Sequence, residues 1–227
     1  MQKSALVIHS GGMDSSLCLA LAIQEFQKEN VLSLSFSYSQ RHQESELTQA
    51  AIICREWGVD HQVLVQDSLP RITHNALTDH TLAIEAGNAK EPNTLVVGRN
   101  GLMARLGAIY AHHLGAHCIY MGIMEREGAN SGYRDCSRAY MDLKQQILRL
   151  DLADPTFEIR TPLVYMTKYE TMQLAEQLGV LKYLLSHTIT CYAGLPGYGC
   201  GVCPACGLRN EGVADYQKNY PAFVMPY

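Results

Sequence analysis

The chain has 227 residues, 47% of them hydrophobic and 18% charged, with a formal net charge of −4. That is an ordinary globular composition, long enough to bury a sizeable core. It excludes a strong electrostatic pull toward nucleic acid or an anionic membrane, and no apolar run approaches the ~20 residues of a spanning helix. The short apolar run at the N-terminus enters a glycine turn rather than a cleavage site, so the expectation is a cytoplasmic protein.

Strand and helix patterns then alternate. SALVIH (4–9) suits a buried parallel strand. Residues 14–29 carry Leu17, Leu19, Ala20, Leu21, Ile23 and Phe26 as a broad apolar face at helical spacing. Residues 31–38 alternate at period two, 44–57 read as helix, and 61–66 as another strand. The stretch 68–93 lacks periodicity and reads as a functional or mobile loop. NTLVVGRN (93–100) returns to strand and ends in a glycine turn. There follow a helix over 101–114, a strand over 117–123, a helix over 137–150, an extended segment over 157–163 and a helix over 168–178. This order predicts an α/β fold with a mostly parallel sheet flanked by helices.

Ligands of such sheets bind beyond the carboxyl ends of the strands. HSGGMDSS, YSQRHQE and VGRNG each follow a predicted strand, so all three are expected on one rim. From Ser186 the chain turns glycine- and cysteine-rich and reads as a small appended unit. The predicted division is an α/β domain over 1–185 and a cysteine-rich region over 186–227.

The first turn carries the strongest chemical signal. Gly11 and Gly12 let the backbone approach a ligand closely, and the following helix presents unpaired N–H groups. Ser10, Ser15 and Ser16 add hydroxyls, which together make a phosphate nest. Asp14 suits a helix cap or a Mg²⁺ that bridges phosphates. The loop has no lysine and matches neither standard nucleotide motif. Lys168 is a candidate for the missing positive charge; a solvated lysine at a helix start is the plain alternative.

Of eight cysteines, Cys191, Cys200, Cys203 and Cys206 fall within sixteen residues. Four thiolates are what a closed tetrahedral zinc site needs. An iron–sulfur reading is less favoured, because that pattern wants a further Cys-Pro downstream. With no open ligand position, the metal is expected to be structural.

The loop resembles the SGGxDS signature of the PP-loop ATP pyrophosphatases. That resemblance implies a Rossmann-like fold of their type, which grips the pyrophosphate end of ATP and places AMP on a carboxylate or amide oxygen. More specifically, the chain resembles the 7-cyano-7-deazaguanine synthase family of queuosine biosynthesis. The matching segments are SGGMDSS (10–16), YSQRH (38–42), VVGRN (96–100), SGYRDC (131–136), PLVYMTKYE (162–170) and the four-cysteine knuckle. The family usually has glycine at Ser39 and proline at Val97 and Arg134.

The resemblance implies ATP contacts along Ile8, His9, Ser10, Gly11, Gly12, Met13, Asp14, Ser15, Ser16, Leu17 and Cys18. It implies catalytic roles for Asp14, Lys168 and Arg99. Arg41, Asn100, Tyr133 and Asp135 are the substrate-binding candidates, with a surface ion pair and a helix cap as the plain alternatives for Arg99 and Asp135. His42 is a proton-transfer candidate or a satisfied structural histidine. Cys136 has no visible base partner, and His112, His113 and His117 have no metal-site company.

The expected reaction takes a deazapurine carboxylate, ammonium and ATP with Mg²⁺, and adenylates the same carbon twice to leave a nitrile. The expected cofactor is one structural zinc per chain. The expected partners are these small molecules and a second copy in a homodimer, with no nucleic acid and no membrane. Two rival readings stand beside this one. A PP-loop tRNA thiolase would need a sulfur-carrying cysteine pair and a basic extension, and neither is evident. A zinc-knuckle nucleic-acid binder would need a basic stripe with aromatic platforms.

Overall fold

The computed structural model describes residues 2–85, 91–126 and 132–227. Among the described residues, five strands form one sheet: β1 (Ala5–Ile8), β2 (Val31–Ser37), β3 (Asp60–Val65), β4 (Cys118–Met121) and β5 (Glu158–Arg160). Their order is β3-β2-β1-β4-β5, and every pairing is parallel. The helices are α1 (Met13–Phe26), α2 (Gln43–Trp57), α3 (Leu69–Ile72), α4 (Arg99–His113), α5 (Arg138–Asp151), α6 (Lys168–Gln177), α7 (Leu181–His187) and α8 (Pro204–Asn219). None is long and apolar enough to cross a membrane.

The chain starts in the middle of the sheet, moves out to β3, then returns past β1 to β4. The order reverses between β1 and β4, where the departing loops diverge and open a crevice. Strand alternation sorts side chains to the two faces. Ala5 and Val7 on β1, with Cys118 and Tyr120 on β4, join Leu17 of α1, Met172 of α6 and Leu184 of α7. Leu6, Ile119 and Met121 join Ala104 and Ala108 of α4 and Met141 and Leu148 of α5 on the other face. Helices on both faces bury β2 almost completely, so its serines are interior. Ser33 Oγ lies 3.0 Å from His9 Nδ1, and Ser35 Oγ donates to the His9 carbonyl at 2.6 Å.

Two expectations about elements change. Residues 93–98 are not a strand. The neighbours of β1 are already β2 and β4, and the segment closes its backbone on itself: Leu95 N–H donates to Pro92 O and Arg99 N–H to Val96 O. The third polar turn therefore opens α4 without a preceding strand. The second change is α8, a sixteen-residue helix in the cysteine-rich tail. Cys203 is its N-cap and Pro204 sits in its first turn, a position proline tolerates because no N–H is needed there. Its Val213 and Tyr216 pack into the same cluster as Met172 and Leu163. The loop after β3 contains α3 and is gathered by Arg41, whose Nη2 donates to Asp79 O at 3.0 Å and Leu82 O at 2.5 Å.

Ser39 has φ 61°, in the left-handed region that costs a non-glycine residue about 1–2 kcal/mol. This is one of the three positions where the chain departs from the pattern of the family it resembles. Ser39→Gly is expected to raise unfolding stability by roughly 0.5–1 kcal/mol in urea titration, allowing for the greater entropy of unfolded glycine. A loss of stability would show that the serine side chain makes up for its backbone.

Candidate active site

A cavity of about 530 Å³ opens at the carboxyl ends of β1 and β4. Its walls come from the β1–α1 loop, residues 121–124 after β4, the start of α4, Lys168 of α6, residues 189–192 and the cysteine-rich segment with the first turn of α8.

The β1–α1 loop is fixed from beneath. His9 is 1% exposed, with Nε2 3.0 Å from Ser16 Oγ. The Ser16 hydroxyl donates to Gly12 O at 2.8 Å, so it accepts from His9 and assigns the ring proton to Nε2. Burial, with His61 nearby, pushes the His9 pKa down to about 3 and keeps the ring neutral. Ser15 Oγ donates to Gly12 O and accepts from Ser10 N–H, both at 3.1 Å. Gly11 has φ 78°, and a Cβ there would lie 2.5 Å from Glu46 O. Only glycine fits where the loop presses on α2. Gly12 caps α1 with no side chain of its own, which leaves the helix N–H groups for an anion.

Of the eleven residues Ile8–Cys18, seven line the cavity: Ile8, His9, Ser10, Gly12, Met13, Asp14 and Ser15. Gly11 and Ser16 shape the turn behind it. Leu17 and Cys18 are fully buried in the core below, and burial with the Asp14 charge raises the Cys18 thiol well above its ordinary value.

Lys168 enters from α6 and places Nζ 2.5 Å from Asp14 Oδ2 and 3.2 Å from Met124 Sδ. Asp14 Oδ1 is buried with no hydrogen-bond partner among the described residues. A buried carboxylate oxygen without a partner fits a cation ligand. Arg99 Nη1 donates to Tyr38 Oη at 3.1 Å, with its guanidinium over the Tyr38 ring. Burial works against the Arg99 charge, but Tyr38, Tyr192 and Asp135 hold it firmly on. The cavity therefore carries two cations, delivered from two helices.

The remaining candidates divide. Asn100 and Tyr133 line the cavity; Arg41 and Asp135 do not. Asp135 accepts from Asn100 N–H at 2.9 Å and from Asn100 Nδ2 at 3.2 Å, so it caps α4 and holds Asn100 in place. Tyr133 Oη lies 2.5 Å from Thr94 Oγ1. Cys136 also lines the cavity, its thiol raised to about 12 by burial and by Asp135. Ser131 of the SGYRDC segment lies outside the described residues. His117 pairs with Asp154 at the surface. Sequence reasoning missed Tyr192 and Thr190, and it left His42 undecided without its neighbour Glu46; the signal for that pair was the i, i+4 spacing at the start of α2.

The sulfurs of Cys191, Cys200, Cys203 and Cys206 lie within 4.8 Å of one another. Four thiolates around one ion at about 2.3 Å would sit about 3.8 Å apart, so the cluster is close to a ligating arrangement. Cys191 Sγ accepts from the N–H groups of Ala193 and Cys200, both at 3.3 Å. Burial opposes the Cys200 thiolate, but the N–H groups of Val202 and Cys203 outweigh it and bring Cys200 down to about 7. The donor set fits a metal. One face of the knuckle, Gly201 to Cys203, is cavity wall.

A family model described as queuosine biosynthesis protein QueC matches residues 4–217. Among solved structures, the chain is similar to the U34-tRNA thiolase NcsA from Methanococcus maripaludis with its 4Fe-4S cluster. The identity is 19% over 97% of this chain and 68% of that one, at a TM-score of 0.49. It is also similar to NMN synthetase from Francisella tularensis, at 15% identity over 96% of this chain and 85% of that one, TM-score 0.49. The family assignment rests on the family model alone.

Gly199 has φ 68°, and a Cβ there would lie 2.4 Å from Cys206 Sγ. Gly199→Ala is expected to purify with markedly less bound metal by elemental analysis and to melt lower. Full metal content with an unchanged melting temperature would contradict the ligand assignment.

Proposed function

The chain belongs to the queuosine biosynthesis protein QueC family, and we propose that it makes 7-cyano-7-deazaguanine from 7-carboxy-7-deazaguanine, ammonia and ATP. The observation that carries this reading is the placement of Lys168, which brings a cation from α6 to a phosphate loop that has none. Such a loop suits chemistry at the α-phosphate, with pyrophosphate as the leaving group.

In this reading the N–H groups at the start of α1 and the hydroxyls of Ser10 and Ser15 bind the phosphates. A substrate carboxylate oxygen attacks the α-phosphorus, and pyrophosphate leaves. Lys168 and Arg99 balance the charge that builds on the phosphate oxygens. Asp14 would hold Mg²⁺, which would supply further charge neutralisation between the phosphates. Ammonia then attacks the activated carbon, and AMP leaves with the C–O electron pair. The amide oxygen is adenylated by a second ATP. Loss of AMP and of the remaining nitrogen protons leaves the nitrile.

Asn100 and Tyr133 contact the base. Asp135 serves by fixing Asn100, and Arg41 by fixing the loop after β3 rather than by touching substrate. The metal at the four cysteines is a structural zinc, whose closed ligand set leaves the chemistry to the β1–α1 loop. Association into homodimers is part of the proposal on the strength of the family resemblance.

The test mixes purified protein with the carboxylate, ammonium, Mg²⁺ and ATP and follows the base and nucleotides by mass spectrometry. Nitrile and AMP are expected. Lys168→Met should lower the rate by about 10²–10³, the usual effect of removing one charge stabiliser, with its metal content unchanged. No ATP consumption, or release of ADP, would overturn the reading.

A further inference from the structure

The amination step raises a problem that the catalytic groups above leave open. Ammonium is overwhelmingly protonated at neutral pH and has no lone pair until a proton is removed. Lys168 and Arg99 are cations and cannot take it. The cavity needs a base with a free lone pair, apart from both.

His42 has the required features. It stands at the start of α2, is 7% exposed, and lines the cavity. Its Nε2 lies 3.3 Å from Glu46 Oε1, one helical turn on. The other Glu46 oxygen accepts from Gln40 Nε2 at 3.2 Å, so the carboxylate is held from both sides. A carboxylate at Nε2 keeps the proton on that nitrogen and leaves Nδ1 with a bare lone pair. That Nδ1 is buried and has no hydrogen-bond partner among the described residues. The Tyr192 ring, 5.5 Å away between centroids, braces the imidazole.

A second unsatisfied atom shares the cavity. Thr190 Oγ1 is also buried without a partner among the described residues. Thr190 follows Ile189, whose N–H donates to Gly11 O at 3.1 Å, so it sits beside the phosphate loop. Two orphaned acceptors in one cavity suit a small cation that carries several N–H donors.

We propose that His42, held by Glu46, is the base that deprotonates the ammonium nucleophile, and that Thr190 helps seat that cation. The inference rests on the amination reading above. Ammonium gives one proton to Nδ1, and its freed lone pair forms the C–N bond. The C–O bond to AMP breaks, and its electron pair leaves on the phosphate oxygen. The carbon-bound nitrogen sheds a further proton to water, and the imidazolium, stabilised by Glu46, returns its own through the cavity mouth. No redox change occurs.

The experiment separates activation from amination. Pyrophosphate exchange into ATP, measured with the carboxylate and without any amine, reports adenylation alone. His42→Gln is expected to keep exchange within about threefold. Its amide formation with ammonium should fall by about 10²–10³, in the range of general-base loss. With hydroxylamine, a nucleophile already neutral at pH 7, the fall should be under about tenfold, because no base is then needed. Thr190→Val should raise the KM for ammonium several-fold with kcat kept. Glu46→Gln should impair ammonium more than hydroxylamine, which keeps the test valid if His42→Gln folds poorly. Equal losses with the two nucleophiles, or a matching loss of exchange, would overturn the role of His42. Absence of exchange in the unaltered protein would overturn the amination reading itself.

Discussion

The contact between Lys168 Nζ and Asp14 Oδ2 joins three parts of the chain that are far apart in sequence. Asp14 stands in the first turn of α1, directly after the β1–α1 loop. Lys168 is the first residue of α6, and it is held there by a capping box. Thr167 Oγ1 accepts from Glu170 N–H, and the Glu170 carboxylate accepts from Thr167 N–H. The third part is α8. A Cβ at Gly212 would lie 2.4 Å from Lys168 Cβ, so the two helices meet with only a hydrogen between them. The lysine stem packs against α8, and its Nζ reaches Asp14 Oδ2 and Met124 Sδ.

That arrangement explains how the four-cysteine knuckle bears on the position of Lys168. The knuckle sets the start of α8 through Cys203 and Cys206, and α8 sets Lys168 through Gly212. The same knuckle supplies cavity wall. Knuckle, helix and lysine form one packed path to the β1–α1 loop. Elsewhere the site handles charge with neutral groups. His9 is kept uncharged beneath the loop, and the loop itself offers N–H and hydroxyl donors rather than cations.

Much of this was legible in the sequence where local pattern and tertiary role agree. The apolar run at 5–8, the Gly-Gly turn and the helix after it carry both a period and a chemistry, and they fold as they read. Lys168 was legible because the helix start at Thr167 is written in its capping residues. The segment 93–98 was misread because Val96 and Val97 look like strand. Only the sheet order shows that β1 has no free edge for it. The helix α8 was hidden because its glycines and cysteines lower helix propensity, and packing against α6 restores what local preference lacks. Arg41 and Asp135, expected at the substrate, lie behind the cavity wall instead. Their partners are backbone carbonyls and Asn100, which no spacing in the sequence encodes.

The proposed chemistry has one lysine-free loop activate two oxygens of one carbon in succession at the α-phosphate. The direct test supplies the substrate with both carboxylate oxygens labelled with ¹⁸O and analyses every phosphorus-containing product. The account predicts one labelled oxygen in each of two AMP molecules per nitrile formed, with pyrophosphate unlabelled. Label in inorganic phosphate or pyrophosphate, or only one labelled AMP per nitrile, would contradict it.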